Sequence, residues 1–360
     1  MKQRDTSVDL LRGLAIVTMI AANMAAHSLV EPHSFFMRFC GSLAAPLFIF
    51  LAGMMVSYTL HTKQHPLSYY LKRGGLTILM AALIDVFIWG TFPFSTFDVL
   101  YIIGLAMPLI YFFNRISKYL QWLLIFLIFA VTPILQYFWG YAAYPVELQI
   151  FEMQGLNELS SVPFVQQFLV DGWFPLFPWL GVSFLGAYIG TMKQKMSTER
   201  VQKNLLISGG TLLSIGILLW FFFWPELYSN EGFIETAHST NLYTILLTRE
   251  GYSELFYPPT LYYFCVYLGM ILLSIPLFRK FQEVRILWFL SIFGRSSLLV
   301  YLLHTVFIAF IFNQLDTYTA LPFLGLYVLH ALVLWLICYG TQRATKGKKL
   351  PFVVRFVVGG

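Results

Sequence analysis

Charge is scarce in this sequence. Lys, Arg, Asp and Glu make up 11% of its 360 residues, against roughly 25% in a soluble domain. Hydrophobic residues supply 58% and the mean hydropathy is +0.72. A soluble globular fold is thereby excluded. Cysteine is scarce too: Cys40, Cys265 and Cys338 are odd in number and far apart. They form neither a disulfide framework nor a zinc site, read as small apolar residues, and no metal is expected. A cleavable leader is not expected either, because MKQR runs into a segment too long and too polar for a signal peptide. Internal repeats and low-complexity tracts are missing.

Long apolar runs are what the chain has in quantity. About 20 such residues span a bilayer core, and runs recur at about 8–30, 39–60, 75–92, 97–113, 119–139, 173–192, 205–224, 259–278, 287–313 and 320–340. The expected fold is all-α, a polytopic bundle of about ten transmembrane helices. Its connections alternate in charge. Lys63, Lys72, Arg73, Arg115, Lys118, Lys193, Lys195, Arg200, Lys203, Arg279, Lys280, Arg285, Arg343, Lys346, Lys348 and Lys349 fall on one side. The other side has only Arg38 and Arg249 among many carboxylates. The positive-inside rule then puts both termini in the cytoplasm and the protein in the plasma (inner) membrane. The net charge of +6 belongs to a membrane face, with lipid as partner and no nucleic acid. One transmembrane domain over 1–350 and a short tail over 351–360 is the economical division.

Two connections, 140–172 and 225–258, are longer than ordinary loops, and both fall outside. Their apolar and aromatic content reads as ordered covers over an outward-facing cavity; simple tethers are the plainer alternative. Tyr141, Tyr144, Phe151, Trp173, Tyr243, Tyr252 and Tyr257 suit sugar rings, although interfacial belts use the same residues.

The first span, SVDLLRGLAIVTMIAANMAAHS, contains Asp9, Arg12, Asn23 and His27. At 100° per residue all four lie within about 60° of one another. Ionisable groups in a span cost about 2.5–3.5 kcal/mol each at mid-helix, so the stripe must face protein or water. Asp9 and Arg12 are placed to pair near the cytoplasmic surface, and Asn23 lies about 21 Å further along the axis. A structural ion pair with polar glue between helices is the plainer reading. The extension to Asn23, with His27 and His33 beyond, favours a lined passage. Histidine accepts and returns a proton near neutral pH. His27 is expected to be buried, and His33 to sit at the membrane face in the turn EPHS.

Three further polar positions stand out. Asp85, in AALIDVFIWG, is a lone carboxylate that either pairs with a stripe residue or stays protonated. Arg295 with Ser296 suits a phosphate-bearing ligand or is an interfacial anchor. His304 lies nine residues on, about 180° around a continuous helix, so it shares no face with Arg295. It reads as an interhelical hydrogen-bond donor or as a functional group.

SVDLLRGLAIVTMIAAN followed by APLFIFLAG resembles the catalytic membrane domain of heparan-α-glucosaminide N-acetyltransferase and its bacterial relatives. DVLYIIGLA (98–106) is similar to the family's Val-Leu-Gln-x-x-Gly stretch, with Tyr101 at the Gln position. FPLFPWLGVSFLGAYIG is similar to its Pro-Trp-x-Gly pattern through Pro178, Trp179, Gly181, Gly186 and Gly190. The likeness covers roughly 8–60 and 97–190. It departs at Ser42, where the eukaryotic enzymes have Asp; at the Asn23 position the O-acyltransferase relatives have His, which argues against that branch.

The resemblance implies a transmembrane acetyltransferase that carries an acetyl group from cytoplasmic acetyl-CoA to an amino sugar or glycan outside. It implies Asn23 and His33 as the catalytic centre, with His27 competing for the histidine's place. Arg12, Asp9, Arg295 and Ser296, with Lys72 and Arg73, are the expected acetyl-CoA residues. Trp173, Trp179, Asp85 and His304 are the expected acceptor residues. The main alternative is a secondary transporter of a small polar or anionic solute, although no matched pair of broken helices marks two halves. The acceptor and the oligomeric state, homodimer included, stay open.

Overall fold

Apolar segments in lipid have no water for their backbone amides, so they close those bonds within helices. The structure, a computed structural model, describes residues 5–30, 33–95, 97–139, 147–152, 164–228 and 261–359. Its helices are α1 (Thr6–Ser28), α2 (Phe35–Gly41), α3 (Ala44–Lys63), α4 (Leu67–Ile84), α5 (Val99–Phe113), α6 (Lys118–Trp139), α7 (Leu176–Lys195), α8 (Thr198–Tyr228) and α9 (Leu261–Lys280). They continue with α10 (Trp288–Arg295), α11 (Ser297–Phe310), α12 (Ala320–Thr345) and α13 (Phe352–Val358). Among the described residues there are two isolated bridges and no longer strand. The all-α expectation holds.

Seven helices are long and apolar enough to cross a membrane, or eight if the pair Phe164–Asp171 and Leu176–Lys195, bent by 45°, is one crossing. The rest of the expected ten rest on α4 and α5. α4 carries Lys72 and Arg73 in its first half. α5 has 15 residues, about 22 Å of rise, against a core of roughly 30 Å. The expected ninth span is broken at Ser296 (φ −112, ψ 30) into α10 and α11. The aromatic positions Tyr141, Tyr144, Tyr243, Tyr252 and Tyr257 lie outside the described residues.

The chain divides into two compact units, Met1–Phe48 with Ile271–Gly360, and Ile49–Met270. In the first, glycine brings α1 and α10 into backbone contact. A Cβ on Gly13 would lie 2.0 Å from the Leu290 carbonyl oxygen, and one on Gly294 would lie 1.8 Å from that of Asp9. Small residues at such crossings let helix backbones approach closely in lipid. α12 is tied to α1 by Tyr327, whose hydroxyl donates to the Val17 carbonyl at 3.2 Å.

In the second unit α3 and α7 meet the same way, through Gly53 against Ser183 and Gly186 against Phe50. Asn114 at the end of α5 donates to Ser57 of α3 at 2.7 Å and accepts from Thr191 of α7 at 2.7 Å. One amide thus joins three helices. Residues 351–360, expected as a tail, contain α13.

Candidate functional site

The polar stripe of α1 is answered by α10 and α11. At one end Asp9 Oδ2 lies 3.6 Å from Arg295 Nε; the Asp9 side chain is 4% exposed and that of Arg295 38%. At the other end Asn23 Nδ2 lies 2.9 Å from His304 Nε2, and His304 Nδ1 lies 3.2 Å from the Val300 carbonyl. That carbonyl only accepts, so Nδ1 carries the proton and Nε2 accepts from the Asn23 amide. His304 is fully buried whereas Asn23 is partly exposed. One N–H of a partly exposed amide is therefore fixed against a buried imidazole.

The expectation placed Arg295 and His304 on opposite faces of one helix; the structure puts them on two helices. The angular argument assumed one unbroken helix. With the break at Ser296, both side chains reach α1, and they do so at its two ends. Asp9 is likewise a buried partner for Arg295, which keeps its own carboxylate away from any phosphate. Arg12 is partly exposed on the same stripe.

His33 lies in the turn after α1, where Nε2 donates to the Leu29 carbonyl at 3.2 Å. Its Nδ1 is then the lone-pair atom of the neutral ring. Leu29 is the C-cap of α1, six residues or about 9 Å of rise beyond Asn23. His27 is exposed, not buried as expected. It follows Asn23 by four residues, which turns it about 40° away from the Asn23 direction.

Ser296 is committed elsewhere. Its hydroxyl donates to the Val358 carbonyl at 3.2 Å and accepts from Gln342 Nε2 at 2.8 Å. It holds α13 in place, a structural duty that sequence position did not reveal. His330, on α12, was also missed. It is 3% exposed, packs against the Phe307 and Phe312 rings at 5.0 and 4.9 Å, and its Nε2 has no hydrogen-bond partner.

The other expected residues belong to the second unit. Asp85, 2% exposed, accepts from the Tyr101 hydroxyl, which in turn accepts from the Phe94 amide at 3.2 Å. The carboxylate sits where α4 loosens into a π-helical turn, Asp85–Trp89, ended by Gly90 at φ +67. Phe94 and Phe97 follow with positive φ, a conformation bulky residues rarely take. Such π-turns and strained residues gather at functional sites. Trp173 hydrogen-bonds Glu147.

Trp179 is fully buried among Phe174, Phe264 and Tyr263, with ring centroids at 5.1, 5.2 and 6.3 Å. It is a core residue and not a sugar platform. Arg73 donates to the Tyr69 hydroxyl at 3.1 Å, and Lys72 is exposed. The cysteines are free, with Cys338 buried. No group of metal ligands occurs among the described residues.

A fold of apolar helices long enough to cross a membrane, the first of them carrying a polar seam, defines a multi-span membrane protein. Residues 4–225 match the family Heparan-alpha-glucosaminide N-acetyltransferase, catalytic. The chain belongs to this family and is a membrane acyltransferase. Comparison with curated proteins returned no match.

Proposed function

We propose that this protein moves an acetyl group from acetyl-CoA on the cytoplasmic side of a plasma (inner) membrane to an amino sugar or glycan acceptor on the outer face. The observation that carries the reading is the Asn23 amide, partly exposed and pinned by a buried His304 toward the C-terminal end of the first span. It occurs in a chain whose family is one of acetyltransferases.

In the reaction the acetyl–sulfur bond breaks and an acetyl–nitrogen bond forms. The amine loses one proton, and coenzyme A leaves as a thiol. His33, through the lone pair on Nδ1, takes that proton as the amine attacks and returns it to the departing sulfur. Asn23 gives one N–H to His304 and keeps the second for the oxyanion, a role worth about 10²–10³ in rate where such donors have been removed. Arg295, held by Asp9, and Arg12 suit the phosphates of the donor, because guanidinium matches phosphate oxygens. Lys72 and Arg73 add positive charge on the same predicted side. Trp173 is the residue proposed for the acceptor; Asp85, buried and held by the Tyr101 hydroxyl, is not open to it.

An acyl-His33 intermediate is the covalent form of the same scheme. Quenching the protein with labelled acetyl-CoA and no acceptor separates the two routes, since only the covalent one leaves label on the chain. The function itself is tested by incubating the purified protein with labelled acetyl-CoA and glucosamine. Labelled N-acetyl product is expected; failure of the folded protein to bind acetyl-CoA overturns the reading.

A further inference from the structure

Helix α13 completes a surface to which the proposed acyl transfer assigns no residue. After Asp316 the chain has no carboxylate side chain but five cations, Arg343, Lys346, Lys348, Lys349 and Arg355. All five are exposed. Among them Phe352, Val353 and Val354 stand 39%, 50% and 42% exposed. Large apolar side chains beside a run of cations suit an interface that is oily on one side and negatively charged on the other.

The segment is held in place. Ser296 donates to the Val358 carbonyl at 3.2 Å, while Gln342 donates to Ser296 and to the Ile292 carbonyl, each at 2.8 Å. Gly359, at φ +85, comes so close that a Cβ would lie 1.6 Å from the Arg295 carbonyl oxygen. This seat is the start of α11, hence one end of a membrane-crossing helix. α12 has 26 residues, about 39 Å of rise, which exceeds a core of roughly 30 Å. Of its two ends the last turns carry the polar groups Gln342 and Arg343, which suit headgroups, and Gln342 is the residue that bonds the Ser296 seat of α13.

We infer that α13 and the Arg343–Lys349 segment form a docking surface for anionic phospholipid headgroups. Phe352, Val353 and Val354 enter the acyl boundary, and the five cations face the phosphates. An apolar face flanked by Lys and Arg binds membrane surfaces in this way, and clustered cations beside a span select anionic lipid. The occupant is the lipid surface, argued from charge complementarity and from the place of the seat at the start of α11.

The test uses the full chain with a bimane label on Val354→Cys, in a background where Cys40 and Cys265 are replaced by Ala. The protein is reconstituted in vesicles of phosphatidylcholine and phosphatidylglycerol, with one or the other lipid brominated. Brominated phosphatidylglycerol is expected to quench at least about fivefold more effectively than brominated phosphatidylcholine, the preference expected from even one cation at an anionic surface. The preference is expected to vanish in K346Q/K348Q/K349Q/R355Q, whose folding is checked by its melting profile, and to weaken in Gly359→Val, where the seat is blocked. Equal quenching by the two lipids in the parent chain overturns the inference, as does a preference that survives the four substitutions. Reversal of the preference by added coenzyme A also overturns it, since the cations would then be reading nucleotide phosphates.

Discussion

In the proposed reaction His304, which has no exposed surface of its own and contacts Asn23, is a positioning residue. His304→Phe leaves the Asn23 N–H without the acceptor that fixes it, so the amide is free to turn. Activity is expected to fall through kcat, with the KM for acetyl-CoA nearly unchanged, because the donor phosphates are assigned elsewhere. His304→Gln, which restores an acceptor, recovers part of the loss. Asn23→Ala is expected to lower kcat by about 10²-fold or more. If the His304 variants changed melting alone and left kcat intact, the imidazole would be structural only. Trp179 makes the contrasting case. Trp179→Ala removes a fully buried ring and should lower stability by about 3–5 kcal/mol, while Trp179→Phe keeps acceptor KM close to the parent value. A large KM change in the Phe variant would restore Trp179 to the acceptor site.

Among elements, the pairing of α1 with α10 depends on two glycines. Gly13→Ala and Gly294→Ala each place a methyl inside 2.1 Å of a carbonyl oxygen on the other helix, from approaches of 2.0 and 1.8 Å. Backbone cannot retreat cheaply, so both variants should yield little folded protein in detergent by size-exclusion chromatography. Gly75→Ala on α4 is the control, since a Cβ there meets nothing within 4 Å. It should be neutral or stabilising by up to about 1 kcal/mol. Normal yields of both crossing variants would mean that the two helices are not in backbone contact.

The helices themselves were legible in the sequence, because a lipid-solvated chain must bury its backbone polarity in helices wherever about 20 apolar residues run on. α1, α6 and α12 fall within a few residues of the apolar runs that announce them, and the polar stripe on α1 was visible as an angle. Its partners were not visible. Asn23 and His304 are 281 positions apart, and periodicity gives a face without saying what covers it. The break at Ser296 was also hidden, since Gly-Arg-Ser inside an apolar run reads as continuous helix. The commitment of Ser296 to α13 and the buried His330 were beyond reach for the same reason.

At the scale of the molecule, crossing number and orientation meet at α4 and α5. If both cross, with termini in the cytoplasm, single cysteines at Gln64 and Ser117 are labelled from the cytoplasmic side and one at Phe94 from the outside. Labelling of all three from one side would leave the seven or eight crossings that length and composition support. The central claim is that the seam from Asp9–Arg295 to Asn23–His304 serves acyl transfer, and one assay addresses it most directly. Purified protein is sealed in vesicles with Arg295 outermost, labelled acetyl-CoA is added outside and an amino sugar is enclosed within. The account predicts labelled N-acetyl sugar inside, lost in Asn23→Ala and in His33→Ala. Product that accumulates equally with the Asn23 and His33 variants, or none from folded parent protein supplied with both substrates, would contradict it.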